Sequence, residues 1–140
     1  MGQVWDPLRK KMVALSPEEK VRQWFIGVLR EIVKVPVHMM MSEVALKFGE
    51  KDYRADILIY ARGGAPLMIV ECKRETVDLS REVLEQVLRY NLVLDVPYLA
   101  ITNGRSTFLF QRVPATAPDS PAGTYVQLKS LPLWEAMQQG

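Results

Sequence analysis

The sequence predicts an α/β fold of the α+β kind, a central mixed β-sheet of about five strands flanked by helices. Two amphipathic segments with helical start and stop signals, "SPEEKVRQWFIGVLREIV" and "DLSREVLEQVLRYNLVLD", bracket three consecutive strand-like runs. Two further strand-like runs, "YLAITNG" and "STFLFQR", follow the second helix. The order helix, three strands, helix, two strands is that of a mixed sheet with helices packed on it.

The first helix opens with Ser16 as N-cap, Pro17 at its first position and Glu19 three residues after the cap, the pattern of a capping box. Val21, Trp24, Phe25, Val28, Leu29, Ile32 and Val33 recur at intervals of three and four and predict one broad buried face, with Pro36 ending the helix. The stretch "SEVALKFGEKDYRADILIYARGGAPLMIVECK" reads as a three-stranded meander that turns at 49–52 and again at Gly63-Gly64. The second helix takes Asp78 or Ser80 as N-cap and stops short of Pro97. "YLAITNG" is a buried strand ending in an Asn103-Gly104 turn, and "STFLFQR" is its neighbour. Residues 114–123, rich in Pro, Ala, Ser and Gly, predict a loop, after which "YVQL" adds an edge strand and "LWEAMQQ" a short helix. With no internal repeat, the expectation is a single domain over 1–140 with its core at about 16–112.

Composition narrows the function classes. A hydrophobic fraction of 49% and a charged fraction of 24% are those of a globular protein. The net charge of +2 is compatible with nucleic-acid binding and does not by itself argue for it. One Cys and one His exclude a Cys/His zinc cluster, so any metal has to be hard and oxygen-bound. No run reaches the ~18 apolar residues of a membrane span. Residues 1–20 lack the apolar centre of a secretory signal, so no membrane partner is expected and the expected compartment is cytoplasmic.

The informative stretch is "YRADILIYARGGAPLMIVECKRE", where Asp56, Glu71 and Lys73 interrupt strands that otherwise read as core. Alternation puts Leu67, Ile69, Glu71 and Lys73 on one face and Met68, Val70 and Cys72 on the other. Glu71 and Lys73 therefore point the same way, while Cys72 turns into the core as a structural thiol. An antiparallel hairpin sets Asp56 near Glu71 if the register is right. Two close carboxylates repel, and a hard divalent cation relieves that repulsion. A neighbouring lysine then helps to activate water, the requirement for phosphodiester hydrolysis.

Asp56 on one strand followed by Glu71-Cys72-Lys73 on the next resembles the PD-(D/E)xK nuclease superfamily, with alanine in place of proline before the Asp. "PEEKVRQ", "ADILIY", "LMIVECKRE", "QVLRY" and "VPYLAITNG" extend the likeness over about 16–112, to the N-terminal nuclease domain of the R subunit of type I restriction enzymes. That resemblance implies a restriction-endonuclease-like core and a Mg²⁺- or Mn²⁺-dependent DNA endonuclease. Asp56, Glu71 and the backbone carbonyl of Cys72 would be metal ligands and Lys73 would position the water. It also implies a Q-x-x-x-Y motif, matched by Gln86 and Tyr90, which share a helix face four residues apart. Glu19 is a further candidate carboxylate, with Glu18 an equally placed substitute. DNA is the implied partner, with other restriction-modification subunits and a homodimer both open. No Gly-rich phosphate loop and no helicase motor occur in the sequence. The alternatives are a catalytically silent nucleic-acid-binding or interaction module of the same fold, and a stand-alone protein of toxin or phage-defence type.

Each candidate also has a plain structural reading. Glu19 is explained by the capping box, Gln86 and Tyr90 by packing, and Asn103-Gly104 by their turn. His38 reads as a partly buried structural histidine, the Met39–Met41 run as filler of core gaps, and Arg9, Lys10 and Lys11 as a solvated basic N-terminus.

Overall fold

The computed structural model describes residues 2–113 and 124–138, so the loop expected at 114–123 lies outside the described residues. The strands are β1 (Gln3–Asp6), β2 (Lys11–Ala14), β3 (Met40–Phe48), β4 (Lys51–Tyr60), β5 (Pro66–Cys72), β6 (Tyr98–Thr102), β7 (Thr107–Val113) and β8 (Thr124–Leu128). The helices are α1 (Pro17–Glu31), α2 (Arg81–Asn91) and α3 (Trp134–Met137). β3 to β8 form one sheet in sequence order. All its neighbours are antiparallel except β5 and β6, which run parallel and are joined through α2. The sheet has six strands rather than about five because Thr124–Leu128 pairs fully with β7.

The two faces of the sheet are covered separately. On one, Phe25, Ile26 and Leu29 of α1 pack against Ile57, Ile59, Met68, Val70 and Ala100. On the other, Leu79 and Val87 pack against Leu58, Ile69, Leu99 and Ile101. β5 and β6 are thus buried on both sides, which explains their near-continuous apolar runs. Leu67 belongs to the α1 side together with Met68, because the β4–β5 register slips between Ile59 and Tyr60.

Four expectations are corrected by the packing. The buried stripe of α1 is centred on Val21, Phe25, Ile26 and Leu29, leaving Trp24 47% and Ile32 60% exposed. Pro36 does not end the helix; it ends at Glu31, where Lys34 at φ 65° reverses the chain and the amides of Val33 and Val35 take the carbonyls of Val28 and Leu29. His38 is exposed in the 3-10 turn Val37–Met39, and of the methionines Met40 is buried, Met39 packs at the core edge and Met41 is exposed.

Buried residues also come from outside 16–112. Trp134 and Met137 close the α1 side, with the Trp134 indole donating to the carbonyl of Tyr60 at 3.0 Å. β1 and β2 form a hairpin that the charged "WDPLRKKM" run conceals. Its turn is held by the Asp6 carboxylate, which accepts from the amide of Leu8 at 2.8 Å, while the Lys10 amide donates to the Asp6 carbonyl at 2.8 Å.

The buried stripe of α1 can be tested directly. Leu29→Ala should destabilise the protein by about 2–5 kcal/mol in urea unfolding, and Ile32→Ala by less than about 0.5 kcal/mol. Equal losses at the two positions would contradict the helix orientation.

Candidate active site

Asp56 sits where β4 leaves its regular pleat. Ala55 packs on the α2 side and Tyr53 meets Tyr90 of α2, whereas Ile57 and Ile59 pack on the α1 side. The alternation therefore changes phase across Asp56. Glu43, between the β3 residues that pair with Ile57 and Ala55, has φ 52°, and the β4–β5 pairing stops at Ile57 and Val70. Beyond that point the Cys72 amide donates to Asp56 Oδ2 at 2.6 Å instead of to a strand carbonyl. A residue in an extended strand directs its N–H and C=O to the same side, so the Cys72 carbonyl faces Asp56 as well. Asp56 Oδ1 lies 3.4 Å from Arg22 Nη2.

Asp56, Glu71, Cys72 and Lys73 line one cleft of about 400 Å³, together with Glu18, Glu19, Arg22, Glu43 and Arg54. The Glu71 carboxyl is pushed up to about 7, first by burial, then by the negative charge of Asp56, with Lys73 offsetting part and Glu18 adding to the rise. Lys73 follows the end of β5, and its amide donates to the Thr102 carbonyl at 2.8 Å, which fixes its backbone. The Cys72 thiol is buried, and burial followed by the charge of Asp56 raises its pKa far above the usual thiol range, so the side chain is structural.

Gln86 and Tyr90 line an adjoining hollow of about 350 Å³ with Arg54, Glu71 and Lys73. They share a wall with Glu71 and Lys73 rather than with Asp56. The two hollows share Arg54, Glu71 and Lys73 as lining, so the six residues are divided between the two sides of Glu71.

The first-helix carboxylates divide their work. Ser16 Oγ accepts from the Glu19 amide at 3.2 Å, but the Glu19 side chain does not complete the capping box. Its Oε1 accepts from Arg9 Nη2 at 2.6 Å and Arg22 Nη1 at 2.9 Å, and its Oε2 from Gln23 Nε2 at 3.0 Å. Glu18 is exposed and lines the same cleft, and its carboxylate has no ion pair or hydrogen bond among the described residues. Arg9 is not a solvated terminal charge: it pairs with Asp6, Glu19 and Glu43. Burial raises the Asp6 carboxyl, but the hydrogen bonds from Arg9 and Leu8 outweigh it and hold Asp6 below the ordinary range. Lys10 and Lys11 are exposed as expected.

Arg22 is the site residue that sequence reasoning missed. It is only 6% exposed, and its guanidinium reaches Glu19, Glu43 and Asp56. The available signal was a charged residue on the buried stripe of an amphipathic helix, next to Val21 and four residues before Ile26.

Among the described residues no three Asp, Glu, His or Cys side chains form a ready-made metal cage. Two carboxylates with one backbone carbonyl nonetheless fit Mg²⁺, which is held by one or two carboxylates and completes its shell with water and substrate phosphate. The donors are hard oxygens, and the shifted Glu71 marks where positive charge is lacking.

Glu71 should leave a signature in stability against pH. With its pKa raised from 4.5 to about 7, the folded state keeps a proton that the unfolded chain has lost between those values. The group's stabilisation is therefore full below pH 4.5 and declines as pH rises through about 7, by on the order of 2–3 kcal/mol. Glu71→Gln stays neutral, so its stability relative to wild type should rise by that amount over the same window in urea unfolding. A constant difference at every pH would show that Glu71 is not so perturbed.

The profile of the family described as type I restriction enzyme R protein N terminus matches residues 17–132. A search of curated proteins returns no match. Among solved structures, a fragment assigned to an HsdR subunit of a type I restriction enzyme from Vibrio vulnificus YJ016 superposes with a TM-score of 0.58 at 18% identity, over 91% of this chain and 25% of that one. The chain thus spans about a quarter of that fragment, and the likeness is one of fold. A DUF820 protein assigned as a nuclease, from Anabaena variabilis ATCC 29413, gives a TM-score of 0.47 at 11% identity over 93% of this chain and 87% of that one. With the family profile running from the first residue of α1 to beyond β8, the chain belongs to the family of type I restriction enzyme R protein N-terminal domains.

Proposed function

We propose that this chain is a divalent-metal-dependent deoxyribonuclease domain of the type I restriction R-subunit kind. It would act in the cytoplasm on DNA beside other restriction-modification subunits. The observation that carries the proposal is the meeting of Asp56, Glu71 and Lys73 in one cleft, where the Glu71 carboxyl is raised to about 7 by burial and by Asp56. Structural ion pairs do the opposite and lower a carboxyl, as Asp6 shows.

In this reading Asp56, Glu71 and the Cys72 carbonyl hold Mg²⁺ or Mn²⁺, which when bound polarises the scissile phosphate and lowers the pKa of water. The Cys72 amide anchors Oδ2 of the Asp56 carboxylate, and Oδ1 lies 3.4 Å from Arg22 Nη2. Arg22 offsets the Asp56 charge from the α1 side. Lys73, two residues after Glu71, positions the attacking water and stabilises charge that develops on the phosphate. Gln86 and Tyr90 contact the substrate from the α2 wall. Of the first-helix acids, Glu18 is the available one, because Glu19 is committed to Arg9, Arg22 and Gln23. The sequence carries no Gly-rich phosphate loop, so cleavage rather than translocation is the activity assigned to these residues.

Melting curves with and without Mg²⁺, paired with plasmid cleavage, test the assignment. Mg²⁺ should raise the melting temperature of the wild type, because it binds the folded state only. Asp56→Asn should lose that rise and Lys73→Ala should keep it, while both lower cleavage by at least about 100-fold. Equal Mg²⁺ shifts in wild type and Asp56→Asn would remove Asp56 as a ligand. A wild type that binds Mg²⁺ and cleaves no DNA would reduce the domain to a silent module.

A further inference from the structure

The wall that α2 gives the hollow at Glu71 serves a second space as well. Gln86 and Tyr90 also line a further hollow of about 370 Å³, whose other walls are Lys51, Tyr53, Arg89 and Val93. The Tyr53 and Tyr90 rings lie 4.7 Å apart and are tilted by 54°, an arrangement within the usual range of aromatic pairs. Lys51 Nζ sits 5.3 Å from the Tyr53 centroid and 5.7 Å from that of Tyr90. Tyr53 is buried, whereas Tyr90 is 38% exposed and presents its ring to the hollow. Among the described residues no acidic side chain lines this space, and neither Lys51 nor Arg89 forms an ion pair. An exposed aromatic ring backed by a second ring and bordered by two unpaired cations matches what an unpaired nucleotide requires: a surface for the base and charge for the phosphates.

We propose that this hollow is a subsite for single-stranded DNA, in which a nucleobase stacks on Tyr90 while Lys51 and Arg89 hold the flanking phosphates. The inference deepens the nuclease reading and rests on it for the direction of the strand, which runs from the Glu71 and Lys73 cleft through the shared residues Gln86 and Tyr90. A base inside a duplex has both faces stacked and cannot reach such a ring, so the ligand is an unpaired or frayed strand. Arg54, exposed on the hollow between the two ends, adds a cation on the same path.

Fluorescence anisotropy of a labelled DNA strand of about 12 nucleotides, measured in EDTA, tests the subsite without cleavage. Each variant is first checked for wild-type melting. Tyr90→Leu should weaken binding by about 5- to 100-fold and Tyr90→Phe by less than about twofold, because stacking needs the ring and not the hydroxyl. Lys51→Ala combined with Arg89→Ala should reduce the slope of log affinity against log salt by about 1.4, the loss of two single-strand phosphate contacts. The blunt duplex of the same sequence should bind more weakly than the strand. Wild-type strand binding by Tyr90→Leu and by the double variant, or equal affinity for strand and duplex, would overturn the subsite. A protein that shows the expected strand binding but cleaves nothing with Mg²⁺ would leave the subsite standing and remove the nuclease reading. Cleavage with unaltered strand binding in these variants would do the reverse.

Discussion

The hydrogen bond from the Cys72 amide to the Asp56 carboxylate is the constraint on which the site depends. It replaces a rung of the β4–β5 ladder just past the last regular pair, Ile57 with Val70. A strand amide with no carbonyl opposite it would be an unsatisfied donor at the edge of the core, and the carboxylate removes that cost. The same bond lets β4 and β5 part, and the cleft opens where they do. It also faces the Cys72 carbonyl toward Asp56 and sends the flanking side chains Glu71 and Lys73 away from the α1 core that holds the thiol. One polar contact thus joins the end of a sheet ladder to the start of a chemical site.

Around it the charges are arranged in two regimes. On the α1 side Arg9 and Arg22 are committed to Asp6, Glu19, Glu43 and Asp56, and the acids among them are paired. Toward β5 the balance reverses, since the half-buried Glu71 feels Asp56 and Glu18 with only Lys73 compensating. Breaking a buried pair is costly because it strands the remaining charge, so the arginines secure the framework while the deficit stays local to Glu71. The N-terminal hairpin takes part in this framework: Asp6 and Arg9 connect β1 and its turn to the first turn of α1.

The parallel β5–β6 pair supplies the rest of the geometry. Its crossover must return over one face of the sheet, and α2 lies in that crossover. Packing Val87 inward places Gln86 and Tyr90 at the rim, next to Glu71 and Lys73. The Lys73 amide bonded to Thr102 ties the end of β5 to β6, so the lysine leaves the sheet from a fixed backbone. The α1 and α2 sides of the sheet therefore both border the ends of β4 and β5 at Glu71 and Lys73.

The order of elements from α1 to α3 was legible in the sequence, because local signals carry it: the Ser16 and Ser80 caps, the glycines at 49 and 64 with positive φ, and the period-two apolar runs. The partition of Glu71 and Lys73 from Cys72 was legible for the same reason, since alternation needs no partner strand. The β1–β2 hairpin, the exposure of Trp24 and His38 and the true end of α1 were not, because pairing and burial are decided by what lies opposite in space. Glu19 shows the limit within a single turn of helix. Its spacing from Ser16 is that of a capping box, yet Arg9 and Arg22 draw its side chain away, and a salt bridge brought in from the N-terminal hairpin outweighs a local hydrogen bond. Arg22, the phase change at Asp56 and the bond to the Cys72 amide are likewise decided only by the tertiary structure, since each joins residues distant in the chain.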